Sequence, residues 1–185
     1  MTTKMVFHGS DIEKICDYYH LNKEDIVKFG ANVNPLGLSV SVKRAIAENV
    51  DLFSSYPDRD YVSLRNTISE YCRIPAEFIL PGNGSSELIS LLIQERAPKH
   101  TLILGPTYSE YSRELSFSGS TQEYYHLREE RNFTLDVEDL CKTLENGYDF
   151  LILCNPNNPT GISIDREFLF RVLRVCREMD IQIGR

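Results

Sequence analysis

Long runs of one charge are missing from this 185-residue chain: 20 Lys and Arg are interspersed with 27 Asp and Glu, for a formal net charge of -7. No basic tail or stripe is therefore expected to hold nucleic acid or an anionic membrane. Apolar runs of bilayer length are missing too, and the opening residues MTTKMVFHGSD lack the apolar core of a secretion signal. A cytoplasmic protein is the expectation. The five cysteines, at 16, 72, 141, 154 and 176, contain no CxxC pair and mostly sit in apolar runs. They read as small core residues in a reducing compartment, with no metal site expected. Internal repeats, low-complexity tracts and linkers are also absent. A GxxxxGK[ST] nucleotide loop is not found, and GNGSSE lacks the third glycine of a dinucleotide fingerprint.

What is present is enough apolar material, 42% of the chain, for one sizeable core. Helical spacing of Ile12, Ile15, Cys16 and Tyr19, then of Val42, Ala45 and Ile46, predicts two short amphipathic helices. Tyr61, Leu64, Ile68 and Tyr71 predict a third, which Pro75 terminates from just beyond. A composition shift near Tyr56–Asp60 divides an N-terminal arm, 1–55, from the body, 56–185. In the body short apolar runs alternate with helical ones. Strands are expected at Phe78–Leu80, Thr101–Gly105, Thr121–His126, Phe150–Cys154 and from Ile181. Helices are expected at Ser85–Arg96, Tyr108–Phe117, around Val137–Leu144 and at Asp165–Met179. Such alternation with short loops predicts an α/β fold whose mainly parallel sheet is covered on both faces.

Three loops follow strands and carry candidate chemistry. Leu80–Glu87 reads LPGNGSSE ahead of an apolar helix. Glycines let backbone amides approach an anion, and a helix start supplies unpaired donors, so this is a candidate phosphate cradle; ordinary helix capping by Ser and Glu is the alternative. Gly105-Pro106-Thr107-Tyr108 offers a tyrosine that could stack on a flat ring or simply pack. Cys154–Gly161, CNPNNPTG, combines two stiffening prolines with three asparagine amides, where a plain turn is again the alternative. All three are expected at the carboxyl ends of strands in one sheet, where ligands of such folds collect. Their convergence favours a single ligand with a phosphate, a flat ring and a ring oxygen.

In the order HGS, GANVNPLG, SYPD, GNGSSE, GPTYSEY, NPNNPTG, these motifs span nearly the whole chain. The set resembles the class I/II aminotransferases of pyridoxal-phosphate fold type I, above all the branch holding histidinol-phosphate aminotransferase and threonine-phosphate decarboxylase. The resemblance implies a three-layer α/β/α large domain, here incomplete, with the 1–55 arm belonging to the small domain. It implies pyridoxal 5'-phosphate (PLP) as cofactor, with Gly84, Ser85 and Ser86 on its phosphate, Tyr108 on its ring and Asn158 on the ring's phenolic oxygen. Tyr56 would reach a partner subunit's cofactor across a homodimer, and His8, Gly9 and Asn32 would lie near the substrate. The full-length relative would transaminate or decarboxylate a small phosphorylated amino acid.

One departure from the family pattern stands out. The strand ending in Asp-Glu-Ala-Tyr/Phe would begin where this chain stops, and the seven lysines, at 4, 14, 23, 28, 43, 99 and 142, match none of the family's lysine motif. The Schiff-base lysine is thus absent and no catalytic residue is assigned. The rival expectation is an inactive or non-enzymatic fragment that keeps the architecture.

Overall fold

The computed structural model describes residues 11–27 and 33–184. They fall into two compact units, 1–59 and 60–185.

The first unit carries α1 (Ile12–Tyr19) and α2 (Val40–Glu48). Ser39 caps α2, its hydroxyl accepting from the Val42 amide at 3.3 Å. Ile12 is buried, whereas Val42 and Ile46 are exposed, so the apolar spacing that predicted α2 does not mark a covered face.

In the second unit α3 (Val62–Cys72) starts at Tyr61 and stops at Arg73, which takes a left-handed conformation. The Arg65 guanidinium donates to the Ala76 carbonyl at 3.0 and 2.7 Å and ties α3 to the turn that follows. That turn corrects one expectation. Phe78–Leu80 is not a strand: Ala76–Phe78 form a single 3-10 turn after Pro75, and although Ile79 is extended, no neighbouring strand pairs with it among the described residues. Extended backbone becomes a strand only when its donors and acceptors find a ladder.

The remaining elements alternate: α4 (Ser85–Arg96), β1 (His100–Gly105), α5 (Glu110–Ser118), β2 (Thr121–His126), α6 (Val137–Leu144), β3 (Phe150–Ile152), α7 (Arg166–Glu178) and β4 (Gln182–Gly184). All strand pairs are parallel, in the order β2-β1-β3-β4. Side chains alternate across the sheet. Leu102, Leu104, Leu151 and Leu153 point to one face, where they meet Leu140 and Leu144 of α6 and Val172 and Cys176 of α7. Ile103, Phe150 and Ile152 point to the other, where they meet Ile93 of α4 and Leu115 of α5. The result is the expected three-layer α/β/α arrangement.

Asp136 caps α6 by accepting from the Asp139 amide at 3.1 Å and also receives Arg131 at 3.0 Å. The Asp139 amide, then Arg131, hold the Asp136 carboxyl below its ordinary value. Of the cysteines only Cys176 is fully buried, and Cys72, read as a core residue, is exposed at the end of α3. Among the described residues no helix is long and apolar enough to cross a membrane.

Candidate active-site rim

Because the strands run parallel, Gly105 at the end of β1, Ile152 at the end of β3 and Gly184 at the end of β4 lie along one edge of the sheet. The loops after β1 and β3 sit at this edge; LPGNGSSE, expected to follow a strand, follows none among the described residues and reaches the edge only through Ser85.

The first approaches it through the start of α4. Gly84 is the N-cap with φ 84 and ψ 169, a conformation only glycine holds without strain. Gly82 is needed for a different reason: a Cβ there would sit 2.7 Å from Leu88 Cδ2. The Glu87 carboxylate folds back onto the amide of Asn83, the residue before the N-cap. No serine side chain caps the helix. The amides of Ser85 and Ser86, in the first turn, have no intrahelical acceptor. The helix end therefore keeps donors for an anion, although the Glu87 carboxylate takes the donor just outside it. Ser85 also borders an apolar hollow of about 280 Å³ that it shares with Leu88, Tyr111, Phe150, Ile152 and Gly184, which brings the helix start to the ends of β3 and β4.

The second and third loops are joined directly. Thr107 Oγ1 donates to Asn157 Oδ1 at 2.9 Å, and Asn157 Nδ2 donates to the Pro106 carbonyl at 2.9 Å and to Thr160 Oγ1 at 2.9 Å. Main-chain bonds from Asn157 to Ile162 (2.8 Å) and from Gly161 back to Asn157 (2.7 Å) close the loop on itself. Asn155 Oδ1 accepts from the Ile164 amide at 2.8 Å. Two of the three asparagines are thus used within the protein. Asn158 is exposed, and its amide has no partner among the described residues.

Tyr108 is half-buried, and its ring meets that of Tyr111 edge-on, with centroids 5.8 Å apart at 89°. Burial first, and then a hydrogen bond with Cys154, push the Tyr111 phenol well above its ordinary value. Cys154 in turn donates to the Pro156 carbonyl at 3.3 Å. Tyr111 is partly buried and packs against the core of Ile103, Phe150 and Ile152.

The structure therefore brings together Tyr108 and the loop of Asn158, with Ser85 reaching the same rim. Tyr56 is exposed in the first unit, while His8, Gly9 and Asn32 lie outside the described residues. Sequence reasoning missed the part played by Asn157. The spacing of two consecutive asparagines was visible, but nothing local says which is buried. Among the described residues no cluster of His, Cys, Asp and Glu could hold a metal ion.

The family model described as aminotransferase class I and II matches residues 24–183. Among curated relatives, threonine-phosphate decarboxylase of Salmonella typhimurium is 35% identical over 176 residues, covering 95% of this chain and 48% of that protein. Histidinol-phosphate aminotransferase of Methanococcoides burtonii is 33% identical over 168 residues, covering 89% of this chain and 46% of that protein. Among solved structures, histidinol-phosphate aminotransferase from Clostridium acetobutylicum superposes with a TM-score of 0.70 at 33% identity, over 83% of this chain and 44% of that one. The chain spans about half the length of the curated relatives it matches.

Proposed function

We propose, from the premise that the chain belongs to the aminotransferase class I and II family, that it supplies the cofactor-holding part of a PLP enzyme. The whole protein would transaminate or decarboxylate a small phosphorylated amino acid, the substrate class suggested by relatives named for threonine phosphate and histidinol phosphate. The observation that carries the reading is the shared rim: free helix-start donors, a half-buried tyrosine and an unpartnered asparagine amide at the carboxyl ends of one parallel sheet.

The residues fit the group. The amides of Ser85 and Ser86 and their hydroxyls would hold the phosphate, favoured by the positive end of α4, with Gly84 leaving open space for the approach. Tyr108 would cover one face of the ring, and Asn158 would donate to the ring's phenolic oxygen. Bound PLP supplies an electron sink for breaking a bond at the α-carbon of an amino acid. The part assigned to this chain is binding and orientation, since none of its seven lysines matches the family's lysine motif. Tyr56 is assigned to a partner subunit's phosphate in a homodimer, residues 1–55 to the small domain and 56–185 to the large one. His8, Gly9 and Asn32 are assigned to the substrate end.

Calorimetric titration of the chain with PLP tests the reading. Gly84→Ala, which forces a side chain into a glycine conformation, and Ser86→Ala should both weaken binding, and Tyr108→Ala should weaken it independently. Wild-type affinity in all three variants would mean that this rim is not the cofactor site.

A further inference from the structure

We infer that Asn157 and Thr107 form a latch that fixes the distance between the ring-facing tyrosine and the ring-oxygen asparagine, making both positioning residues; the inference rests on the cofactor reading above. Thr107 immediately precedes Tyr108, and Asn157 immediately precedes Asn158. The two residues assigned to the ring are therefore cross-linked by the side chains of their neighbours, 50 positions apart in sequence.

The latch is strongly specified. Asn157 is 8% exposed. The Pro106 oxygen can only accept, so the Asn157 amide must present Nδ2 to it and Oδ1 to the Thr107 hydroxyl; the reversed amide would set two acceptors against each other. Both Nδ2 protons are used, on Pro106 and on Thr160. The amide thus spans from the turn after β1 to the far end of its own loop. Flat-ring recognition needs the face and the oxygen to be met at once, and a small displacement between the two loops would satisfy one at the expense of the other. Asn158, exposed and unpartnered, has nothing else among the described residues to hold its side chain.

The start of α4 is not part of the latch, and this separates a positioning role from a merely structural one. The chain is titrated with PLP and, separately, with inorganic phosphate, in wild type, Thr107→Val, Thr107→Ser and Asn157→Ala. Thr107→Val keeps the side-chain shape and removes one hydrogen bond, so PLP affinity should fall about fivefold while phosphate affinity stays at the wild-type value. Thr107→Ser, which restores the hydroxyl, should restore PLP affinity. Asn157→Ala, losing every side-chain bond, should lose more than Thr107→Val. Wild-type PLP affinity in Thr107→Val, or an equal loss for PLP and phosphate, would overturn the latch. Tyr108→Ala and Asn158→Ala serve as controls on the cofactor reading. If the wild type binds no PLP, or these two bind it as tightly as the wild type, the cofactor reading fails and the latch with it. If they weaken binding and Thr107→Val does not, the latch alone fails.

Discussion

Replacing Gly105 by alanine should change sign with the residue facing it. Gly105 ends β1, one residue before Pro106 and the tyrosine loop, and it is buried. A Cβ there would lie 2.8 Å from Cδ1 of Tyr124, its near neighbour on β2, where ordinary contact begins at 3.4 Å, so the ring must yield by 3.4 − 2.8 = 0.6 Å. Tyr124 is 42% exposed and among the described residues stacks on His126 alone, at 5.9 Å between centroids, so it can move toward solvent. Overpacking of this kind costs about 1–3 kcal/mol, and a movable neighbour puts the cost at about 1–2. Alanine also removes conformational freedom from the unfolded chain, which returns about 0.4–1 kcal/mol. The net loss in the wild-type background should be roughly 1 kcal/mol. In a Tyr124→Ala background the clash is gone and only the unfolded-state effect remains, so Gly105→Ala should stabilise by about 0.5 kcal/mol. Urea unfolding of the four chains gives the cycle directly. A loss of similar size in both backgrounds would show that the glycine is required by the backbone and not by the Tyr124 ring.

The Asp136 carboxyl, held below its ordinary value, contributes stability that is complete above the ordinary carboxylate range and is lost as pH falls through the depressed value. Asp136→Asn keeps a good helix cap but cannot titrate, so its urea midpoint should decline less between about pH 6 and about pH 3 than the wild type's; parallel declines would remove Asp136 from the acid response. Cys176 is 1% exposed, and burial pushes its thiol up to about 11. It should escape maleimide in the folded chain while exposed Cys72 reacts, and the stability it contributes, present below the ordinary thiol value, should fade as pH rises through that raised value. Mass spectrometry of labelled peptides checks the order, and equal labelling of the two would mean that the α7 face opens readily.

Much of the candidate site could be read from residues because its determinants are local. Glycines before an apolar helix predict a helix start with open donors, and α4 runs from Ser85 to Arg96 as its spacing implied. What could not be read depends on contacts distant in sequence. Asn155, Asn157 and Asn158 are chemically the same side chain in one short loop, and only the turn at Pro106–Thr107 decides that Asn157 is consumed and Asn158 is left. Tyr108 could be read equally as an ordinary packed ring, and nothing local says that it meets Tyr111 edge-on. Capping by Ser and Glu was the alternative weighed for this loop, but no side chain caps α4, and Glu87 instead accepts from the Asn83 amide just outside the helix.

The strands show where composition carries sheet position and where it does not. In β1, Leu102, Ile103 and Leu104 are all buried, as are Phe150, Leu151 and Ile152 in β3, because helices cover both faces of these two central strands. A continuous apolar run is the sequence sign of that environment. By contrast β2 reads TQEYYH, and none of its six residues is buried, although each pairs in register with β1. It is one of the two edge strands of the described sheet, and its polar character marks that side as exposed. Phe78–Leu80 looked more like a strand than β2 does. Pairing decided the outcome: β2 has β1 beside it from His100 to Gly105, and Ile79 has no ladder among the described residues. Apolar composition therefore predicts burial of a strand that exists, whereas existence itself is settled by whether another segment of the chain arrives alongside.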